Sequence, residues 1–171
     1  MAITERKLTP QEQKEIADQA TRAMGILGLT DPQSQPGVIV QSVESYVDRW
    51  QDERRNPNPL KKMFSRSPAP NPVAASLSLG FLWGNQLVRR FGWEWTALQK
   101  PGQGEAYSVV TKDRSLAVHP TYFLKACLDD PRADCTVMLA YNMLEAGEMT
   151  GMPANGYENV MWGVRRIVPK R

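Results

Sequence analysis

Apolar residues recur with a helical period near the start of the chain. The segment Thr9-Pro10-Gln11-Glu12 has the form of a capping box with proline at the first helical position. One face of the helix that follows carries Ile16, Ala20, Ala23, Met24 and Leu27. The same spacing returns in Ile39, Val43, Tyr46, Val47 and Trp50, after a short connection that contains prolines. We therefore predict an antiparallel helical hairpin, with the first helix ending near Gly28.

A different pattern runs from Pro72 to Phe91, where apolar residues occupy most sides of a predicted helix. Ser76, Gly80 and Gly84 recur at every fourth position and form a stripe with almost no side chain. Each glycine inside a helix costs roughly 1 kcal/mol relative to alanine. A close neighbour must offset that cost. We therefore predict a buried central helix that is closely approached along its glycine stripe.

From residue 93 onward the apolar period is two, which is typical of β-strands. Residues 93–98 and 106–110 flank a turn and predict a β-hairpin, and residues 116–119 predict a third strand. The residue before a proline favours extended backbone, so we expect His119 to end that strand. Pro120 then opens a helix that stops at Asp129-Asp130-Pro131.

Two further strands are predicted in the last part of the chain. The run from Cys135 to Tyr141 is apolar on both faces, which favours an internal strand. Val160, Trp162 and Val164 alternate with other residues and predict a last strand. The resulting fold class is α+β, with a central buried helix packed on a small, mostly antiparallel sheet. The predicted organisation is an N-terminal helical hairpin at 1–55 in the same globule, a proline-rich basic linker at 56–71 and an α+β core domain at 72–171.

Charged residues are unevenly distributed along the 171-residue chain. The segments 54–66 and 165–171 carry charges of +5 and +4 and contain no acidic residue. The rest of the chain holds twelve basic and eighteen acidic residues, a net charge of −6. Basic segments on an acidic body are typical of interaction arms and also of ordinary solvated loops. The candidate binding residues are Arg54, Arg55, Lys61, Lys62, Arg66, Arg165 and Arg166.

Length and the N-terminal residues limit the class of protein further. A chain of this size buries about two-thirds of its unfolded surface, so one domain needs no disulfide or metal. The first residues contain no apolar segment of the kind found in secretion signals, and we expect a cytoplasmic location. Cys127 and Cys135 are then reduced, and their spacing predicts no metal site and no cofactor. Polar residues interrupt the 72–91 helix, which predicts no membrane span.

His119 is the single histidine and the weak candidate for catalysis. A general base requires an orienting partner, and Glu94, Asp113 and Asp129 do not stand at a recognised spacing from it. A histidine at a strand end before proline is more often structural than catalytic. The sequence therefore favours a structural role for His119.

Three motifs carry a likeness to known sequences. They are Leu79-Gly80-x-x-x-Gly84-x-x-Leu87-Val88, then Phe91-Gly92-Trp93-Glu94-Trp95, then Val118-His119-Pro120 with a short helix and an apolar strand after it. This arrangement resembles small uncharacterised bacterial domains of unknown function, over about residues 72–147. The resemblance implies a bacterial cytoplasmic protein of α+β type, and it supplies no catalytic residues.

The absence of a recognisable catalytic motif decides which function we expect. We expect a non-catalytic module that binds another protein, such as an adaptor, an inhibitor or an immunity-type protein. One alternative is a nucleic-acid or polyanion binder that uses segments 54–66 and 165–171. A second alternative is an enzyme with a site near His119. The sequence does not specify the partner or the oligomeric state.

Overall fold

The computed structural model of the chain describes residues 3–57, 71–102 and 104–167. Within these residues the strands are β1 (Thr4–Arg6), β2 (Glu94–Gln99), β3 (Glu105–Val110), β4 (Leu116–Val118) and β5 (Glu158–Asn159). The helices are α1 (Pro10–Leu27), α2 (Pro36–Arg55), α3 (Pro72–Phe91), α4 (Pro120–Asp129), α5 (Val137–Glu145) and α6 (Val160–Ile167). These helices and their five-stranded sheet confirm the predicted α+β class.

The sheet follows the order of the chain, β1-β2-β3-β4-β5. The strands from β1 to β4 are antiparallel, with Thr96 opposite Ser108 and Val109 opposite Val118. The predicted three-stranded meander is therefore confirmed. β5 runs parallel to β4 and places Asn159 opposite Ala117. This last pairing brings the start of α6 beside the end of β4.

The predicted central helix is α3, and it is buried on most sides. Its large buried side chains are Leu79, Phe81, Trp83 and Leu87. A Cβ atom added to Gly80 would lie 2.7 Å from the Cα atom of Thr121, and one added to Gly84 would lie 2.5 Å from Cη2 of Trp95. Both separations are too short for carbon atoms that are not bonded. The predicted close approach along the glycine stripe is confirmed, and the neighbours are α4 and the sheet.

Both N-terminal helices pack on α3. At the start of α1, Thr9 Oγ1 accepts a hydrogen bond from the Glu12 amide at 3.2 Å, and Glu12 Oε2 accepts one from the Thr9 amide at 2.7 Å. This is the predicted capping box. Gly28 ends the helix with φ of 67°, a left-handed conformation that glycine adopts without steric cost.

Helix α2 holds the connection between α4 and α5. Gln51 Nε2 donates hydrogen bonds to the carbonyl oxygens of Cys127 and Ala133, at 2.8 and 2.7 Å. Trp50 Nε1 donates to the carbonyl oxygen of Leu128 at 3.2 Å. Gln51 is buried, and an unpaired buried amide costs about 1–3 kcal/mol. The position of α4 therefore depends on α2.

The predicted strand from Cys135 to Tyr141 is wrong, because this segment leads into helix α5. The buried residues of α5 have a helical spacing and are Val137, Ala140 and Tyr141. A short apolar run does not distinguish a buried strand from a buried helix. The helix also receives support from a distant residue, since Glu44 Oε2 on α2 accepts a hydrogen bond from the Met138 amide at 2.8 Å.

The predicted last strand at residues 160–164 is also wrong. This segment forms helix α6, and the residues just before it form the short strand β5. Val160 and Val164 are both buried, while Trp162 between them is exposed. An interval of four residues fits both a strand and a helix, and this ambiguity explains the error.

Strand β1 has no counterpart in the predicted elements. Glu5 accepts hydrogen bonds from Arg114 Nη2 and from the Tyr157 hydroxyl, each at 2.7 Å. The bonds from Arg114 lower the pKa of the Glu5 carboxyl. Arg114 and Tyr157 have φ of 59° and 47°, and such left-handed residues cost about 1–3 kcal/mol each. The network holds β1, the β3–β4 turn and the approach to β5 together.

One hydrophobic core contains residues from Leu8 on the N-terminal side to Val164 in α6. The division of the chain at residues 55 and 71 stays a prediction, because residues 58–70 lie outside the described ranges. Within residues 3–57, 71–102 and 104–167, no helix is long and apolar enough to cross a bilayer.

Candidate functional site

The two faces of the sheet have different surroundings. One face packs against the main core through Trp95, Ala97, Val109 and Val118. The opposite face, called the outer face below, carries a smaller cluster made of Leu98, Val110, Ala117, Ile3 and Tyr157. Side chains alternate along a strand, so His119 lies on the same side as Ala117. His119 therefore belongs to the outer face.

A cavity of about 550 Å³ opens between the outer face and helices α4 and α6. Its apolar wall is formed by Leu98, Ala106, Phe123, Ala126 and Met161. Tyr122 and Trp162 also line it and are 57% and 67% exposed, more than any other large hydrophobic residue in the described ranges. Its volume falls in the range of about 300–1,000 Å³ that is typical of ligand pockets. We call it the His119 cavity.

Three polar side chains line the His119 cavity, and two of them offer a hydrogen-bond donor. The three are Lys100, His119 and Asn159. The side-chain oxygen of Asn159 accepts a bond from the Met161 amide at 3.0 Å, which leaves its NH₂ group for a ligand. Lys100 forms no ion pair with another residue of the described ranges. The cavity therefore offers donors at Lys100 and Asn159.

The orientation of the His119 ring is set by Ser108 on β3. Ser108 Oγ lies 2.6 Å from His119 Nδ1 and 3.2 Å from the carbonyl oxygen of Ala106. A hydroxyl has one proton and the Ala106 carbonyl can only accept, so both contacts are satisfied when Ser108 Oγ–H donates to that carbonyl and His119 Nδ1–H donates to Ser108 Oγ. The neutral ring then carries its hydrogen on Nδ1. Its Nε2 atom is an acceptor that remains for a ligand.

Burial and, to a lesser degree, the positive charge of Lys100 together lower the pKa of His119 to about 4. The imidazole is therefore neutral at pH 7. A general base acts best when its pKa lies near the working pH, so this ring is a weak base. It is instead a neutral ring fixed by a buried partner, because Ser108 is fully buried.

The acidic residues considered as partners of His119 are engaged elsewhere. Glu94 forms an ion pair with Arg114 at 3.1 Å, and Asp113 Oδ1 accepts from Ser115 Oγ at 2.8 Å. Asp129 pairs with Lys125. His119 does end β4 and precede α4, as the Val118-His119-Pro120 sequence predicts. The structure thus brings His119 together with Ser108 and with none of the expected carboxylates among its described contacts.

The basic residues singled out in the sequence are dispersed. Arg54 Nη1 donates to the carbonyl oxygen of Leu128 at 2.6 Å, at the end of α4, and Arg55 forms an ion pair with Asp52 at 2.6 Å. Three of the candidates, Lys61, Lys62 and Arg66, lie outside the described residues. Arg165 and Arg166 belong to the last part of α6. Binding by these residues stays a prediction.

A second depression of about 330 Å³ lies near the β3–β4 turn. Among its lining residues, Asp113 and Ser115 already bond to each other. No group of three or more potential metal ligands occurs in the part of the chain that the structure describes. Cys127 is buried, and its hydrogen bond with Cys135, together with burial, raises the pKa of the Cys135 thiol. Neither the second depression nor the two cysteines offer a ligand as many free donors as the His119 cavity does.

Sequence reasoning identified His119 but missed the residues around it. The alternation that it found does place Leu98 and Lys100 on one face of β2. Asn159 and Trp162 were not recognised, because their position depends on the parallel pairing of β5 with β4. That pairing joins residues about forty positions apart, and no local pattern indicates it.

Comparison of the chain with protein-family models, with curated proteins and with solved structures gives no match. The function must therefore be inferred from the geometry of the chain itself.

Proposed function

We propose that this chain is a non-catalytic module that binds another protein at the His119 cavity. The observation that carries the proposal is the position of Tyr122 and Trp162, which are the most exposed large hydrophobic residues of the described ranges and line the same cavity. Tyrosine and tryptophan are enriched in protein interfaces and dominate binding energy there. The two rings provide anchors on either helix beside the cavity.

The state of His119 favours binding over catalysis. Its pKa of about 4 and the absence of a carboxylate among its described hydrogen-bond partners leave it without the usual means of removing a proton. Arg54 and Arg55 contact the protein itself, which weakens the alternative of a polyanion site at the start of segment 54–66. Binding of a protein partner is the function that accounts for the exposed rings of Tyr122 and Trp162.

The proposal includes a cytoplasmic location in a bacterial cell. The thiols of Cys127 and Cys135 are unpaired, which fits a reducing compartment. In such a setting the chain would act as an adaptor, an inhibitor or an immunity-type protein.

Replacement of both exposed rings tests the proposal. The variant Tyr122→Ser/Trp162→Ser and a control, Val38→Ser/Val73→Ser, each remove two exposed apolar side chains, and the control residues are 53% and 48% exposed and outside the cavity lining. Tagged proteins are used to capture partners from a bacterial lysate, and the captured protein is then titrated against each variant. We expect the ring variant to lose at least about ten-fold in affinity, since anchor residues contribute about 2 kcal/mol or more each.

The control should bind as the parent protein does. Both variants should keep the parent melting temperature, because surface substitutions change stability by about 0.5 kcal/mol or less. Equal affinity of the ring variant and the control would refute the cavity as the contact.

A further inference from the structure

We propose that the His119 cavity takes a segment of the partner that presents an aromatic side chain next to a carboxylate. This inference rests on the proposed function, because it names the chemistry of the segment that the partner inserts. It follows from the apolar wall, the exposed rings and the donors described above.

Charge supports the carboxylate. Lys100 brings a positive charge to the cavity, and no aspartate or glutamate lines it among the described residues. Glu105, next to the lining residue Gly104, is held in an ion pair by Arg6. An ammonium group that forms no ion pair within the described residues, beside a low-dielectric apolar wall, attracts an anion more strongly than it would in water.

The hydrogen-bond donors in the cavity also favour a carboxylate. The NH₂ of Asn159 and the ammonium of Lys100 are both donors that face the cavity. A carboxylate accepts through two oxygens with about four lone-pair positions, so it can satisfy several such donors at once. A ligand that carries its own donors, such as an ammonium or a guanidinium group, would leave these groups unpaired. The chemistry therefore selects for an acceptor.

The apolar part of the cavity accounts for the aromatic group. Phe123 and Met161 lie in the wall, and the rings of Tyr122 and Trp162 stand exposed beside them. Aromatic pairs prefer offset or edge-to-face packing, and a ligand ring in the cavity can pack in this way against Tyr122 or Trp162. At about 550 Å³ the cavity holds more than a single side chain, so it accommodates a ring together with an adjoining carboxylate.

A matched pair of probes tests the inference on the full chain. N-acetyl-L-tryptophan carries a ring and a carboxylate, and N-acetyl-L-tryptophanamide has the same ring without the charge. Each is titrated into ¹⁵N-labelled protein at low salt, and amide shifts are followed by NMR. We expect the acid to bind about ten-fold more tightly than the amide. This ratio corresponds to the free energy that one charge-assisted hydrogen bond contributes.

Two variants separate the contributions of charge and ring. Lys100→Met should reduce the affinity for the acid toward that for the amide, while Lys112→Met, which removes a lysine from the exposed β3–β4 turn, should leave both unchanged. Trp162→Ser should weaken both probes by the same factor. Thermal melts of the three variants check that the fold is kept.

Several results would overturn the inference. Equal affinities for acid and amide, tighter binding of the amide, or no binding of either probe at ~10 mM would each do so. In these cases the proposed function still stands if partner capture depends on Tyr122 and Trp162. Conversely, selective binding of the acid with capture unaffected by the ring variant would support the carboxylate site and refute the protein partner.

Discussion

The two faces of the sheet differ in how closely other parts of the chain pack against them. On the face toward α3, contacts are so close that Gly84 has no room for a Cβ atom beside Trp95. On the outer face, an added Cβ at Gly104 meets nothing within 4 Å, and the His119 cavity opens next to it. The difference indicates that the α3 face is closely packed and provides stability, whereas a cavity stays open beside the outer face.

Substitution of one glycine beside each face, Gly84 in α3 and Gly104 in the β2–β3 turn, gives the largest expected effect. Gly84→Leu places a side chain where Trp95 and Val109 already lie, and overpacking of this kind costs about 3 kcal/mol or more. Gly104→Ala meets open space and should change the free energy of unfolding by less than about 0.5 kcal/mol. Urea denaturation measures both values. Similar stability of the two variants would contradict the difference between the faces.

Acid titration of stability gives the next largest effect and examines His119 on the outer face. The folded pKa of His119 is about 4, below the usual value near 6.5. The unfolded chain therefore takes up a proton at this residue between about pH 6.5 and 4 while the folded chain does not, so stability falls as the pH falls through that window. We expect this loss to be about 2 kcal/mol, allowing for the partial exposure of the ring.

The variant His119→Gln isolates that contribution. Its side chain does not titrate, so the difference in unfolding free energy between parent and variant should change across the same pH window and stay constant above about pH 7. A difference that is independent of pH from 4 to 7 would show that His119 titrates normally in the folded protein.

Local signals account for the part of the fold that the sequence predicted. The capping box at Thr9 and the Val118-His119-Pro120 boundary act within a few residues, and the structure confirms both. The errors arise where distant contacts decide. Helix α5 is supported by Glu44 from α2, and β1 exists through pairing with β2, more than eighty residues later in the chain.

The candidate site was less predictable than the fold for the same reason. His119 is conspicuous as the single histidine, but its chemistry depends on burial and on Ser108 from another strand. Lys100, Asn159 and Trp162 become neighbours only when β5 adds to the sheet and α6 follows it. Local patterns report secondary structure, and a cavity forms between elements that are distant in sequence.

Mapping the contact with a captured partner tests the central claim most directly. The ¹⁵N-labelled chain is titrated with that partner, and the change in each backbone amide signal is measured by NMR. We expect the largest changes at Lys100, His119 and Trp162, with smaller ones across α1 and α2. Changes concentrated on α1 or α2, with the amides of the His119 cavity unaffected, would contradict the assignment of the outer face as the binding surface.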